Sequence, residues 1–95
     1  MSEFFWEQRP NRIESDSGFF VEVLGRTGLR YGEGGRTAFV DSELLAGSAG
    51  IYALADSLNQ WDSPDGSSID EPERARILGN IKRAFEFCGH KIQIG

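Results

Sequence analysis

The fold of this chain is decided by residues 70–89, DEPERARILGNIKRAFEFCG, which have the pattern of one amphipathic helix. Asp70 is a good N-cap, and with Glu73 it has the spacing of a capping box, while Gly89 is a good left-handed C-cap. Between them apolar side chains recur every three or four positions, at Ile77, Leu78, Ile81, Ala84, Phe85 and Cys88. This spacing places them on one stripe, so it predicts a helix about 30 Å long that covers a small sheet.

Short strands separated by glycine turns precede this helix. Residues 19–24, 29–31 and 37–40 predict an antiparallel meander, and residues 12–15 predict a strand at its edge. Gly32, Gly34 and Gly35 could suggest a phosphate-binding loop, but no Lys-Ser or Lys-Thr follows them. They therefore predict a hairpin turn.

The remaining segments complete an α+β domain. We expect a helical turn at 42–45, a flexible joint at 47–50, a fourth strand at 51–55, a short helical segment at 56–61, a loop at 62–68 and a last strand at 90–94. The prediction is an antiparallel sheet of four or five short strands with the long helix packed on one face. This single domain would span residues 12–95, after a flexible arm at 1–11 whose aromatic side chains dock on the body.

Composition limits the cellular setting that we expect. The chain has 95 residues, enough for one domain, and its one cysteine excludes an internal disulfide. No apolar run approaches the length of a membrane span, and the first residues lack the basic and apolar regions of a signal peptide. We therefore expect a cytoplasmic protein.

Few residues in the chain are suited to catalysis. Cys88 and His90 are the only thiol and imidazole, and Cys88 falls on the apolar stripe, where a structural role is expected. One cysteine and one histidine cannot build a zinc site, and Asp62, Asp65 and Asp70 miss the spacing of a calcium loop. We expect no enzyme activity, no cofactor and no metal.

Charge is distributed in blocks along the second half of the chain. The net charge is −5. Residues 56–73 contain six acids and no Lys or Arg, whereas residues 74–95 contain five Lys or Arg and a single acid, Glu86. The acidic block has two interpretations: a solvated helix start, or a docking surface for a basic partner. A nucleic-acid partner is disfavoured because phosphate binding requires a clustered basic face.

Aromatic residues beside these acids make plausible contacts for a partner. The candidate partner-binding residues are Tyr52, Asp56, Trp61, Asp62, Asp65, Asp70 and Glu71. Tyr52 and Trp61 fit packing beneath the helix equally well. The alternative function is an interaction domain or subunit with weak self-association through strand edges or the aromatic arm.

The segment from Ile51 to Arg74 also resembles a known family. Its pattern is Ile51-Tyr52, then Asp56-Ser57-Leu58, Trp61-Asp62 and Pro64, followed by Ile69-Asp70-Glu71-x-Glu73-Arg74, and the chain ends on Ile92-Gln93-Ile94. These motifs resemble the bacterial family Immunity protein 74, whose members run from a short meander through a similar stretch into a helix with an acidic start. This chain departs from the family pattern in its N-terminal arm, in residues 47–50 and in one extra residue between Tyr52 and Asp56.

The resemblance implies a function that residue chemistry alone does not reach. It implies a small cytoplasmic protein, encoded beside a secreted bacterial toxin, that neutralises the toxin by binding it directly. The family pattern carries no catalytic residues, so none is assigned here. An acidic surface agrees with this expectation, because it would accelerate association with a basic toxin.

Overall fold

The computed structural model describes residues 4–9, 11–46, 50–62 and 64–95, with the backbone alone for residues 8 and 9. The elements in chain order are β1 Phe5–Arg9, β2 Arg12–Ser15, β3 Phe19–Val23, β4 Thr27–Glu33, β5 Arg36–Leu44, β6 Ile51–Ala53, a 3-10 helix Ala55–Ser57, α1 Glu71–Phe87 and β7 Ile92–Ile94. The predicted α+β class is confirmed. The joint predicted at 47–50 lies mostly outside the described residues.

In the described part of the chain, seven strands form one sheet in the order β1 to β7. Strands β1 to β6 pair as antiparallel neighbours, whereas β7 pairs parallel with β6, with Ile51 opposite Ile92. The predicted antiparallel pairing therefore holds for β1 to β6 and is wrong for β7, and the predicted number of four or five strands is too low. The last strand is parallel because the chain crosses from β6 through α1 before it returns to the sheet edge.

The N-terminal segment contributes a strand. We predicted a flexible arm at 1–11, but Phe5–Arg9 forms β1, which pairs with β2, so β2 is an inner strand and not the predicted edge. Phe5 is buried and its ring lies 5.2 Å from that of Phe87, between ring centroids. This aromatic contact holds the first strand against the end of the helix.

Strand β5 is longer than its sequence suggests. The predicted helical turn at 42–45 is wrong, because β5 continues to Leu44 and its last residues pair with β6, with Glu43 opposite Tyr52. Tertiary pairing here overrides a weak local preference. The predicted helical segment at 56–61 is present only as the 3-10 helix Ala55–Ser57.

The helix follows its prediction closely. Asp70 is the N-cap, and its Oδ1 accepts the backbone N–H of Glu73 at 2.9 Å. At the other end Gly89 has a φ of +77°, which glycine adopts without steric cost. The five residues from Ile77 to Phe85 on the predicted stripe are buried and Cys88 is half-buried, so the stripe faces the sheet.

The hairpin between β4 and β5 explains the glycines that could suggest a phosphate loop. Gly34 and Gly35 have φ values of +57° and +79°, and they link the paired residues Glu33 and Arg36. Positive φ at both positions is the signature of a type I′ turn, whose twist matches that of the strands. The hairpin prediction is confirmed.

The helix lies across one face of the sheet, from the β4–β5 hairpin to β1. Its first turns contact the hairpin, because Arg76 bonds Glu33, and its last turn carries Phe87 to Phe5. The largest side chains buried between the two layers are Trp61, Tyr31, Leu29, Leu58, Ile77, Ile81, Val21 and Val40. Burial of these apolar surfaces is the main stabilising force of the domain.

Replacement of Asp70 tests whether the cap stabilises the helix. We expect Asp70→Ala to lower the free energy of unfolding by about 1 kcal/mol, because the Glu73 N–H loses its acceptor. Urea unfolding followed by circular dichroism measures this change. Asp70→Asn is the matched control, since it keeps a capping oxygen without the charge; an equal loss in both variants would contradict a capping role.

Candidate partner-binding surface

Trp61 is a buried residue at the start of the loop that precedes the helix. The indole has no exposed surface, and its ring centroid lies 6.3 Å from that of Tyr31 in the core. Its Nε1–H has no hydrogen-bond acceptor in the described part of the chain, at a cost of about 1–3 kcal/mol. The guanidinium carbon of Arg36 lies 3.9 Å from the ring centroid, so this cation stacks on one face of the indole.

Backbone hydrogen bonds fix the same loop to the sheet. Asp62 N–H donates to the carbonyl of Thr37 at 2.8 Å, and the Thr37 hydroxyl donates to Asp62 Oδ2 at 2.8 Å. Trp61 N–H donates to the carbonyl of Ser67 at 2.9 Å, which closes the loop on itself. The acidic side chains of this loop are therefore held in defined positions before any partner binds.

Two arginines connect the loop, the hairpin and the helix start. Arg36 lies 3.6 Å from Asp65 and 4.0 Å from Glu73, between the charged atoms of each pair. Arg76 lies 3.6 Å from Glu73 and 2.8 Å from Glu33. The two cations thus link three carboxylates that belong to three different segments, which reduces the repulsion among them.

The pKa values of these carboxyls reflect the network. Burial opposes ionisation of Glu33, but hydrogen bonds from Arg76 and Tyr31 and the charges of Arg76 and Arg36 outweigh it, so its pKa is lowered. Hydrogen bonds from Ser67 are the largest cause that lowers the pKa of Asp65, with a smaller contribution from Arg36. Both carboxyls are therefore ionised at neutral pH.

The network reaches the core through Tyr31 and Asn80. The Tyr31 hydroxyl hydrogen-bonds Glu33 and accepts from Asn80 Nδ2 at 2.8 Å. Burial, followed by the bond to Glu33, raises the pKa of Tyr31, so the phenol stays protonated and donates. The sequence offered a signal for this contact that we missed, because Asn80 interrupts the apolar face of the helix and a buried amide requires partners.

The structure divides the predicted residues between two surfaces. Asp65, Asp70 and Glu71 are exposed around the helix start. Tyr52 and Asp62 instead lie on the outer face, which we define as the face of the sheet turned away from α1. Asp62 is joined to this face by its hydrogen bond with the Thr37 hydroxyl, and Tyr52 is there because it pairs with Glu43, which follows the buried Ser42 along β5.

Asp56 lies beside the middle of β5. Its 3-10 helix is attached to Asp41 of that strand, because Leu54 N–H donates to the Asp41 carbonyl at 2.8 Å and the Ser57 hydroxyl accepts the Asp41 N–H at 2.7 Å. The side chain of Asp56 is exposed. Asp56 is therefore held beside the middle of β5, next to Asp41.

Trp61 and Tyr52 differ in their exposure. Trp61 is fully buried, so it influences the surface by supporting Arg36. Tyr52 is half-buried, and its hydroxyl lies against Gly95, where a Cβ would approach within 1.7 Å of the phenol oxygen. The sequence gives Tyr52 and Trp61 the same two interpretations, but in the structure Trp61 is buried and Tyr52 is half-buried.

The thiol and the imidazole occupy the far end of the helix. Cys88 is half-buried, and burial is the largest cause that raises its pKa, which opposes formation of a nucleophilic thiolate. His90 Nε2 lies 3.5 Å from a carboxylate oxygen of Glu7. In the described residues no three His, Cys, Asp or Glu side chains are grouped as a metal site.

Removal of Arg36 tests its role as the link between loop and core. We expect Arg36→Ala to lower the free energy of unfolding by about 1–2 kcal/mol, because one cation–π contact and two ion pairs are lost. Arg30→Ala is the matched control: within the described residues Arg30 has one ion pair, with Glu22, and its loss should cost under about 0.5 kcal/mol. Equal effects in urea unfolding would contradict the special role of Arg36.

Glu33 makes stability depend on pH. Its folded pKa lies below the ordinary value of 4.5, so the unfolded state binds the proton more tightly. Its stabilising contribution is therefore complete above that ordinary value and is lost as the pH falls through the folded pKa. We expect Glu33→Gln to be less stable than wild type at neutral pH and to lose less stability on acidification; parallel curves from thermal unfolding across this range would contradict this.

Comparison with known proteins gives a family match. A family model described as Immunity protein 74 matches residues 21–95, which include β4, β5, the acidic loop and the helix. No curated protein and no solved structure gives a significant match. Among the helices that the structure describes, none is long and apolar enough to cross a membrane. Since the matched range covers most of the chain, this protein belongs to the Immunity protein 74 family.

Proposed function

We propose that this protein binds a cognate protein toxin and neutralises it without catalysis. The observation that carries the proposal is the family match across residues 21–95, since the family is named for immunity. The contact would be made by the acidic loop surface, which we define as Asp62, Asp65, Asp70, Glu71 and Glu73. The toxin would present a basic surface to it, as around many sites that act on nucleic acid, and the protein would act in the cytoplasm.

The order of the loop supports this proposal. Bonds to Thr37 and the stacking of Arg36 on Trp61 hold the loop in the free protein, so little conformational entropy remains to be lost on binding. Rigid display of polar groups favours a specific interface over a merely solvated loop.

The charge of the loop supports it as well. Asp65 and Glu73 share the charge of Arg36, whereas Asp62, Asp70 and Glu71 have no ion-pair partner within the described residues. Their negative potential is therefore available to attract a basic protein. Such steering raises association rates to about 10⁸–10⁹ M⁻¹s⁻¹ at low salt, which suits a protein that must capture a toxin before it acts.

Reversal of loop charges tests the proposal. The probe is the purified product of the gene adjacent to the one that encodes this chain, made with its catalytic residues inactivated. We expect wild-type protein to bind it at one to one and more weakly as salt is raised, and Asp62→Lys with Glu71→Lys to slow association at least about 10-fold. Surface plasmon resonance measures both rates, and Asp70 is left unchanged because it caps the helix. Circular dichroism checks that the variant, which loses the Thr37–Asp62 hydrogen bond, is still folded.

Glu86→Lys serves as the matched control, because Glu86 is an exposed acid near the other end of the helix. It should bind like wild type after correction for net charge. Equal slowing by Glu86→Lys would show that only total charge matters. Absence of binding by the wild-type protein, together with a concentration-dependent dimer in sedimentation, would favour the self-associating domain instead.

A further inference from the structure

The outer face of the sheet carries exposed apolar side chains in its middle. Leu24, Phe39 and Leu54 are 39%, 46% and 40% exposed. Leu24 and Phe39 meet above Gly28, since a Cβ built there would lie 3.6 Å from the former and 2.7 Å from the latter. Leu54 extends this area, because it follows Tyr52 by two residues in extended backbone and therefore shares its face.

Carboxylates flank these apolar side chains. Asp41 and Glu43 alternate with the buried Val40 and Ser42 along β5, so they lie on the same face as Phe39, and both are exposed. Asp62 approaches from the other side through Thr37, two residues before Phe39. We define the outer patch as Leu24, Phe39, Leu54, Asp41 and Glu43.

Two aromatic rings elsewhere in the chain show what such an arrangement holds. The guanidinium carbon of Arg12 lies 3.8 Å from the ring centroid of Phe20, and Arg12 also pairs with Glu14 at 3.2 Å. Arg36 stacks on Trp61 in the same way and pairs with Asp65 at 3.6 Å. In both cases an arginine is held by the face of a ring and by a nearby carboxylate.

Phe39 has the ring and the carboxylates but lacks the arginine. No guanidinium covers its ring within the described residues, and the neighbouring Arg30 is bonded to Glu22 at 3.1 Å. Arg26, in the turn before β4, covers no aromatic ring and forms no ion pair within the described residues. The site is thus complete in all but its cation.

We propose that an arginine or lysine of the cognate toxin stacks on Phe39 and pairs with Asp41 or Glu43. This inference rests on the proposed function and extends its contact from the acidic loop surface across the outer patch. Phe39 forms the apolar anchor, while the acids around it exclude partners with a negative surface. Asp62 joins the two surfaces because it lies at the border of both.

Substitution of Phe39 separates this contact from the rest of the interface. We expect Phe39→Ala to weaken binding of the adjacent-gene product at least about 30-fold, as for a central aromatic anchor, and Phe39→Tyr to stay within about threefold. Phe4→Ala is the matched control, because Phe4 is 55% exposed, precedes β1 and lies beside the far end of the helix. Unfolding midpoints confirm that each variant is folded.

A charge test on the patch complements the aromatic one. Asp41→Asn with Glu43→Gln should accelerate dissociation and reduce the salt dependence of binding, since the stacked cation loses its counter-charge. Wild-type affinity in both patch variants, with weakened binding only in the loop variants, would overturn the inference and leave the proposed function standing. An equal loss in Phe4→Ala would also overturn it. Absence of any binding by the wild-type protein would overturn both.

Discussion

The stacking of Arg36 on the buried ring of Trp61 is the contact on which the surface of this protein depends. Trp61 provides a buried apolar ring, and the guanidinium of Arg36 stacks on it, which places a positive charge at the edge of the core. Around this centre Asp65 and Glu73, from the loop and from the helix, come within 4.0 Å of the same cation. The loop contains several carboxylates, and the positive charge of Arg36 offsets part of the repulsion among them.

The topology then determines which acids are neutralised and which remain available. The chain leaves β6, follows the side of β5 as far as Thr37, turns through the loop and enters α1. This path places the helix start above the hairpin, where Arg36 and Arg76 balance the acids, and it leaves Asp62 on the opposite side of β5. One acidic block in the sequence therefore contributes to two faces.

On the outer face of the sheet, two aromatic rings lie over glycines of a neighbouring strand. Phe20 and Phe39 lie over glycines of β4, so the aromatic rings shield backbone that has no side chain of its own. Phe20 is completed by Arg12, whereas Phe39 remains exposed. The difference between two rings in nearly the same setting is what singles out Phe39.

Much of the fold could be predicted because its signals are local. The apolar stripe, the Asp70 cap, the Gly89 terminus and the Gly34-Gly35 turn each depend on a few adjacent residues. The first strand was missed because its aromatic residues gain their burial from Phe87, far along the chain. The parallel direction of β7 and the extension of β5 likewise depend on pairing with β6, which no short window contains.

The candidate site was less accessible from sequence for a related reason. The acidic block at residues 56–73 is visible in the sequence, but the division of its side chains between two faces follows from the path of the backbone. Arg36 and Phe39 lie in a strand of ordinary sheet sequence, so no local signal distinguishes the residue that stacks on Trp61 from the one that stays exposed. Only the packed structure brings Arg36 to Trp61 and leaves Phe39 exposed.

Hydrogen–deuterium exchange of the complex with the adjacent-gene product tests the central claim most directly, because it maps the contact without any substitution. The account predicts slower exchange on binding in two segments, residues 37–44 of β5 and residues 54–71 through the helix start. Residues 5–15 and the last turns of α1 should exchange as in the free protein. Protection confined to those latter segments, with residues 37–44 and 54–71 unchanged, would contradict it.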